Sequence, residues 1–174
     1  MENLIGLFII GLLIIIAIQD LKYRAVSWIV FPILFITTIV MVRQSHSWLI
    51  VSETFMYNSV FVIAQLLLVT IYISIKHNRI VNITTKYLGW GDILFLFVTS
   101  SFFSFFNFIL FYIISLSLIL FTTILVRILK RNLVREIPLA GGMAIILSII
   151  HIEQLLFRRL DYYDNGMLFT LLSG

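Results

Sequence analysis

Six long apolar runs, broken only by short charged or turn-forming stretches, constrain this chain more than any other feature. They lie at about 4–19, 27–42, 57–75, 90–104, 107–129 and 138–156. A membrane-spanning helix takes about 20 apolar residues, so the runs predict about six transmembrane helices and little else. Composition points the same way, with 61% of the 174 residues apolar and 11% charged. A chain this short has too much surface to keep that apolar content from water in a soluble fold. The expectation is therefore an all-α polytopic membrane protein, a single domain over 1–174 without a soluble module. Only Glu2 carries charge ahead of the first run and no small-residue cleavage site follows it, so that run reads as a retained helix and not a signal peptide. The tail 157–174, with Tyr162 and Tyr163, is expected at the membrane interface.

The chain has no Cys, which excludes a disulfide framework, a zinc ribbon and a thiol nucleophile. His46, His77 and His151 show no metal-ligand spacing, so neither a metal nor another cofactor is expected. The net charge of +4 does not indicate nucleic acid, because no compact basic module stands apart from the apolar runs. Topology accounts for it instead. With six spans, Lys22, Arg24, Lys76, Arg79, Lys86, Arg127, Lys130, Arg131 and Arg135 fall on one side, and Arg43, Arg158 and Arg159 on the other. The positive-inside rule assigns the first side to the cytoplasm and both termini to the outside of a cytoplasmic (inner) membrane.

Ionisable groups at the edges of apolar spans are costly unless they face the bundle interior, which makes them the first candidates for function. Asp20 closes the first run and Asp92 opens the fourth, both on the predicted cytoplasmic side. If those helices pack together, the carboxylates meet. A carboxylate pair that shares a site holds one proton between its members, so one can activate water while the other protonates a leaving amine, without a metal. Two structural roles compete with this chemistry. Asp20 stands four residues before Arg24 and could pair with it, and Asp92 follows two glycines, where a carboxylate caps a helix.

The residues around the aspartates carry a resemblance. Gly89-Trp90-Gly91-Asp92 has the Gly-x-Gly-Asp pattern of the membrane aspartyl peptidases, which include type IV prepilin peptidases and presenilin-like proteases. Asp20-Leu21-Lys22-Tyr23-Arg24-Ala25-Val26-Ser27 resembles the element that follows the first catalytic aspartate of prepilin peptidases, with Lys22 and Arg24 as its basic positions. Ile137-Pro138 followed by Leu139-Ala140-Gly141-Gly142 resembles a third element of that family, at the start of the last helix. The order of the three elements and the span count also match, over roughly residues 4–156. The chain is most similar to the short, peptidase-only branch found in tight-adherence pilus systems and among archaeal preflagellin peptidases. It departs from the larger enzymes in lacking their cysteine-bearing cytoplasmic extension, in having Leu94 where many carry Lys, and in having Leu139-Ala140-Gly141 where Phe-Gly-Pro is common.

The resemblance implies an aspartic endopeptidase with Asp20 and Asp92 catalytic, and a pilin-like precursor as substrate. The short basic leader of that precursor would be removed at the cytoplasmic membrane edge. Gly89 and Gly91 would permit unusual backbone torsions or close approach of an extended substrate strand. Gly141 and Gly142 are expected to serve helix packing first. The segment 76–91 reads either as a flap over the site or as a basic loop on anionic lipid. Gln19 and Gln65 are expected to bridge helices. The alternatives are a signal-peptide-peptidase-like protease, poorly matched by Gln19-Asp20 and Pro138-Leu139-Ala140, and a small ion- or proton-coupled membrane transporter using the same two aspartates. A structural scaffold indifferent to both is a third class.

Overall fold

The computed structural model describes residues 2–79, 83–85, 88–129, 138–157 and 163. These form six α-helices: α1 (Glu2–Tyr23), α2 (Val30–Val42), α3 (Trp48–His77), α4 (Trp90–Thr99), α5 (Phe105–Leu129) and α6 (Leu139–Phe157), with a 3-10 turn at Ile83–Thr85. No strand occurs among the described residues. All six predicted helices are present, in a fold of the helical membrane-protein class. α1, α3, α5 and α6 are long and apolar enough to cross a bilayer. α2 and α4, with 13 and 10 residues, are not. At about 1.5 Å per residue they reach roughly 20 and 15 Å, short of a hydrocarbon core of about 30 Å. The six predicted helices thus comprise four long and apolar enough to cross a bilayer and two shorter apolar helices packed among them.

Local chemistry explains the helix ends that differ from expectation. α1 does not stop at Asp20; it runs to Tyr23, with Lys22 in its last turn, where a cation suits the negative helix end. It terminates as Arg24 turns left-handed at φ 54°. α3 begins nine residues before the predicted position 57, because the Ser47 side chain accepts from the Ile50 amide and caps it. The polar Ser52, Glu53 and Asn58 then ride on the helix without breaking it. α4 ends at Thr99, not near 104, where three consecutive hydroxyls turn back onto helical carbonyls: Thr99 onto Phe95, Ser100 onto Phe97 and Ser101 onto Val98. Such bonds compete with helix propagation.

α1 and α6 are the inner antiparallel pair. Gly6 faces Leu155 near one end, and Gly141 faces Ala17 and Asp20 at the other. Ile9, Leu13 and Ile16 of α1 and Met143, Ala144 and Leu147 of α6 repeat at helical spacing and are fully buried. In their apolar windows 44% of α1 and 39% of α6 is buried, against 11% of α3, which places α3 at the periphery. α4 joins the inner pair through Phe95 and Leu96, within the same core that takes in Phe31 and Leu34 of α2. Tyr57 of α3 meets Phe105 of α5, and Phe61 one turn later meets Phe108 and Tyr112, all edge-on, so α3 and α5 run in parallel. The turn between α4 and α5 is buried throughout 100–104, and its carbonyls find neutral donors. Asn58 Nδ2 donates to the carbonyls of Ser100 and Phe103, each at 2.8 Å. Tyr163 Oη donates to the Ser101 carbonyl at 2.9 Å, with its ring 4.6 Å from that of His46. Tyr163 is thus packed on the protein. Tyr162 and the rest of the tail beyond Phe157 lie outside the described residues.

Candidate active site

Asp20 sits one turn from the C-terminal end of α1 and Asp92 in the first turn of α4. Both reach the same point, the N-terminal turn of α6. That turn begins after Pro138, whose carbonyl accepts the helical bond from Gly142 at 3.0 Å. Amides in a first helical turn have no partner within the helix, and the helix dipole adds positive potential there. The Ala140 amide donates to Asp92 Oδ1 at 2.8 Å, and the Gly141 amide donates to Asp20 Oδ2 at 2.6 Å. Consecutive Cα atoms are about 3.8 Å apart, so two carboxylates bound to successive amides have their accepting oxygens within about 9 Å of each other. Asp20 is buried, at 8% exposure, whereas Asp92 is half-buried.

Opposed influences act on Asp92. Burial and the neighbouring Asp20 charge disfavour its ionised form, while the amides of Ala140 and Gly89 favour it. The Gly89 amide donates to Asp92 Oδ2 at 3.1 Å, closing the N-terminus of α4. The capping role weighed for Asp92 is therefore real, and the same carboxylate also bridges to α6. Ser27 N donates to Gln19 Oε1 at 2.8 Å, so Gln19 ties the chain after Arg24 back onto α1 beside Asp20 and not one helix to another.

The remaining sequence-predicted residues surround this pair unevenly. Lys22 is exposed with its Nζ 5.0 Å above the Tyr23 ring, and Arg24 forms the left-handed end of α1. Pro138 opens α6 and is half-buried. No glycine among the described residues has a positive φ, and Gly89 itself sits at φ −69°, ψ 150°. The expectation of unusual torsions at Gly89 and Gly91 is thus corrected: neither needs to be glycine for its backbone conformation. A Cβ on Gly91 would lie 3.8 Å from Phe31 Cζ, an ordinary contact, so packing within the fold does not require glycine there either. His77 ends α3 in an exposed position. Lys86, Arg131, Arg135, Ile137 and part of the segment 76–91 lie outside the described residues. Among the described residues no cluster of three or more His, Cys, Asp or Glu could hold a metal ion.

The pairing of helix directions also sorts the charges. The C-terminal ends of α1, α3 and α5 and the N-terminal ends of α4 and α6 share one end of the bundle. Lys22, Arg24, Lys76, Arg79 and Arg127 stand there, with Arg43 at the other end among the described residues. Sequence reasoning missed the two backbone amides that hold the carboxylates. Their only signal is a Pro followed by four small or aliphatic residues at a helix start. No family model, no curated protein and no solved structure matches the chain.

Proposed function

We propose that the protein is a membrane-embedded aspartic endopeptidase that removes the short cytoplasmic leader from prepilin-like precursors. The observation that carries this reading is the convergence of Asp20 and Asp92 on successive amides of α6. Peptide hydrolysis by an aspartic mechanism uses two carboxyl groups with different protonation states. In this reading the pair holds one proton between its members, since burial and the neighbouring Asp20 charge both disfavour ionised Asp92. The ionised member takes a proton from water as its oxygen bonds to the scissile carbonyl carbon. The protonated member gives its proton to the amide nitrogen as the C–N bond breaks, leaving a carboxyl and an amine product.

Two further features support the reading. The basic side chains gathered at the aspartate end make that end cytoplasmic under the positive-inside rule, where a precursor leader would lie. Asp92 is half-buried where Asp20 is buried, so it is the member of the pair nearer to the surface. Metal-free hydrolysis follows from the carboxylate pair alone.

N-terminal proteomics on membranes from cells carrying the native chain or Asp92→Asn tests the proposal. The expected result is a precursor with a short basic leader and an adjoining apolar helix that accumulates only with Asp92→Asn. Unchanged N-termini, with enzyme and precursors both expressed, would reject the peptidase in favour of an ion or proton site.

A further inference from the structure

The geometry points to the first turn of α6 as the device that sets the spacing of the two carboxylates, with Gly141 as its positioning residue. The inference deepens the peptidase reading and rests on it for its catalytic meaning, but its physical content concerns the two aspartates alone. Residues 121 and 48 positions distant in sequence are fastened to neighbouring rungs of one helix: Asp20 to the Gly141 amide and Asp92 to the Ala140 amide. A helix turn is among the stiffest rulers a protein has. The carboxylates accordingly cannot separate without losing an amide donor, nor approach freely, because each is drawn to its own N–H.

Gly141 is required by this arrangement in a way its neighbour is not. A Cβ at 141 would stand 3.0 Å from both Cβ and Oδ2 of Asp20, and 3.3 Å from the Ala17 carbonyl oxygen. Two of those atoms are the aspartate itself and the third is α1 backbone, so relief would move α1 away from α6 or turn the Asp20 carboxylate. A Cβ at 142 instead meets the Ile119 side chain of α5, with Cδ1 at 2.8 Å. Adjacent glycines on one helix thus face two different neighbours. Gly141 faces the acid, and Gly142 faces the Ile119 hydrocarbon, whose Cγ1 also lies 2.8 Å from where its Cβ would stand. A packing role for both, as composition suggests, would make their alanine variants alike.

The experiment compares Gly141→Ala with Gly142→Ala in the full chain, using carboxyl-13C aspartate labelling. The chain has four aspartates, Asp20, Asp92, Asp161 and Asp164, and Asn variants assign the first two. Gly141→Ala should move the titrations of both Asp20 and Asp92 away from those of the native chain. Once cleavage is established, it should lower kcat more than tenfold with KM within twofold, and shift the pH profile. Gly142→Ala should leave both titrations in place. Equal behaviour of the two variants, or unmoved titrations in Gly141→Ala, overturns the inference while leaving the peptidase reading intact. Shifted titrations without any cleavage by the native protein reject the peptidase reading and leave the ruler standing. Should Gly141→Ala fail to fold, the unmodified chain supplies the test. The 15N–1H resonances of Gly141 and Ala140 should titrate with pH, the first losing that response in Asp20→Asn and the second in Asp92→Asn. Flat amide shifts through the aspartate titrations would equally overturn it.

Discussion

The two ends of α4 face the same physical problem and resolve it with different chemistry. At its C-terminal end, buried carbonyls in the turn 100–104 need donors, and the neutral carboxamide of Asn58 and phenol of Tyr163 provide them. At its N-terminal end, unpaired amides of Gly89, Ala140 and Gly141 need acceptors, and two carboxylates provide them. Neutral Asn or Ser would cap those amides about as well. Ionisable groups buried in a membrane protein are expensive, and a second one beside the first is more so. The comparison teaches that the far end contains what folding requires, whereas the aspartate end contains more. The excess is two titratable protons' worth of chemistry.

That contrast breaks most visibly on substitution of the acids. Asp20→Asn or Asp92→Asn keeps an acceptor for the α6 amide and removes the acid. Each variant should retain its thermal unfolding temperature to within a few degrees yet lose at least about a thousandfold in kcat, the scale on which an acid–base pair contributes. Cleavage of a purified precursor at full rate by either variant would return that residue to a capping role. Asp20→Ala is a sharper version: it removes both acceptor and acid, so it should lose activity equally and in addition cost about 1–2 kcal/mol of stability. A denaturation series in detergent separates the two losses.

At the neutral end the pattern should invert. Asn58→Leu strands the carbonyls of Ser100 and Phe103, both in a buried turn. The expected destabilisation is about 1–3 kcal/mol, with the pH dependence of any activity unmoved. A shift in that pH profile would mean the ends of α4 are coupled, and would dissolve the contrast. Tyr163→Phe removes one hydroxyl donor from the Ser101 carbonyl and leaves the ring on His46. It should cost the least, about 1 kcal/mol or below, since hydrogen bonds between membrane-protein elements average well under that. Measuring it beside Asn58→Leu orders the two donors.

Much of the fold was legible because hydropathy is a property of each stretch of chain. All six helices could be located, and Asp20 and Asp92 stood out as charges at the edges of apolar runs. Helix ends were less so. The start of α3 depended on the Ser47 cap, and the end of α4 on hydroxyls bonding to their own helix. The inward faces were not legible at all in α1 and α2, which are apolar all round, so no polar stripe marks the side that packs. Nothing around Asn58 in the sequence marks its role, because its two carbonyl partners lie more than 40 residues away.

The sequence by itself determined that this chain forms apolar helices, where each helix lies, and that two carboxylates stand at run edges sharing one basic side. Only the tertiary structure decided that those carboxylates meet, and that they do so on Ala140 and Gly141 of α6. The reason lies in the solvent. In hydrocarbon an apolar helix gains little by choosing one apolar neighbour over another, so pairing rests on shape and on a few polar bonds. Here those are the bare faces of Gly6 and Gly141 that let α1 and α6 close, and the amides that the aspartates find once they have closed.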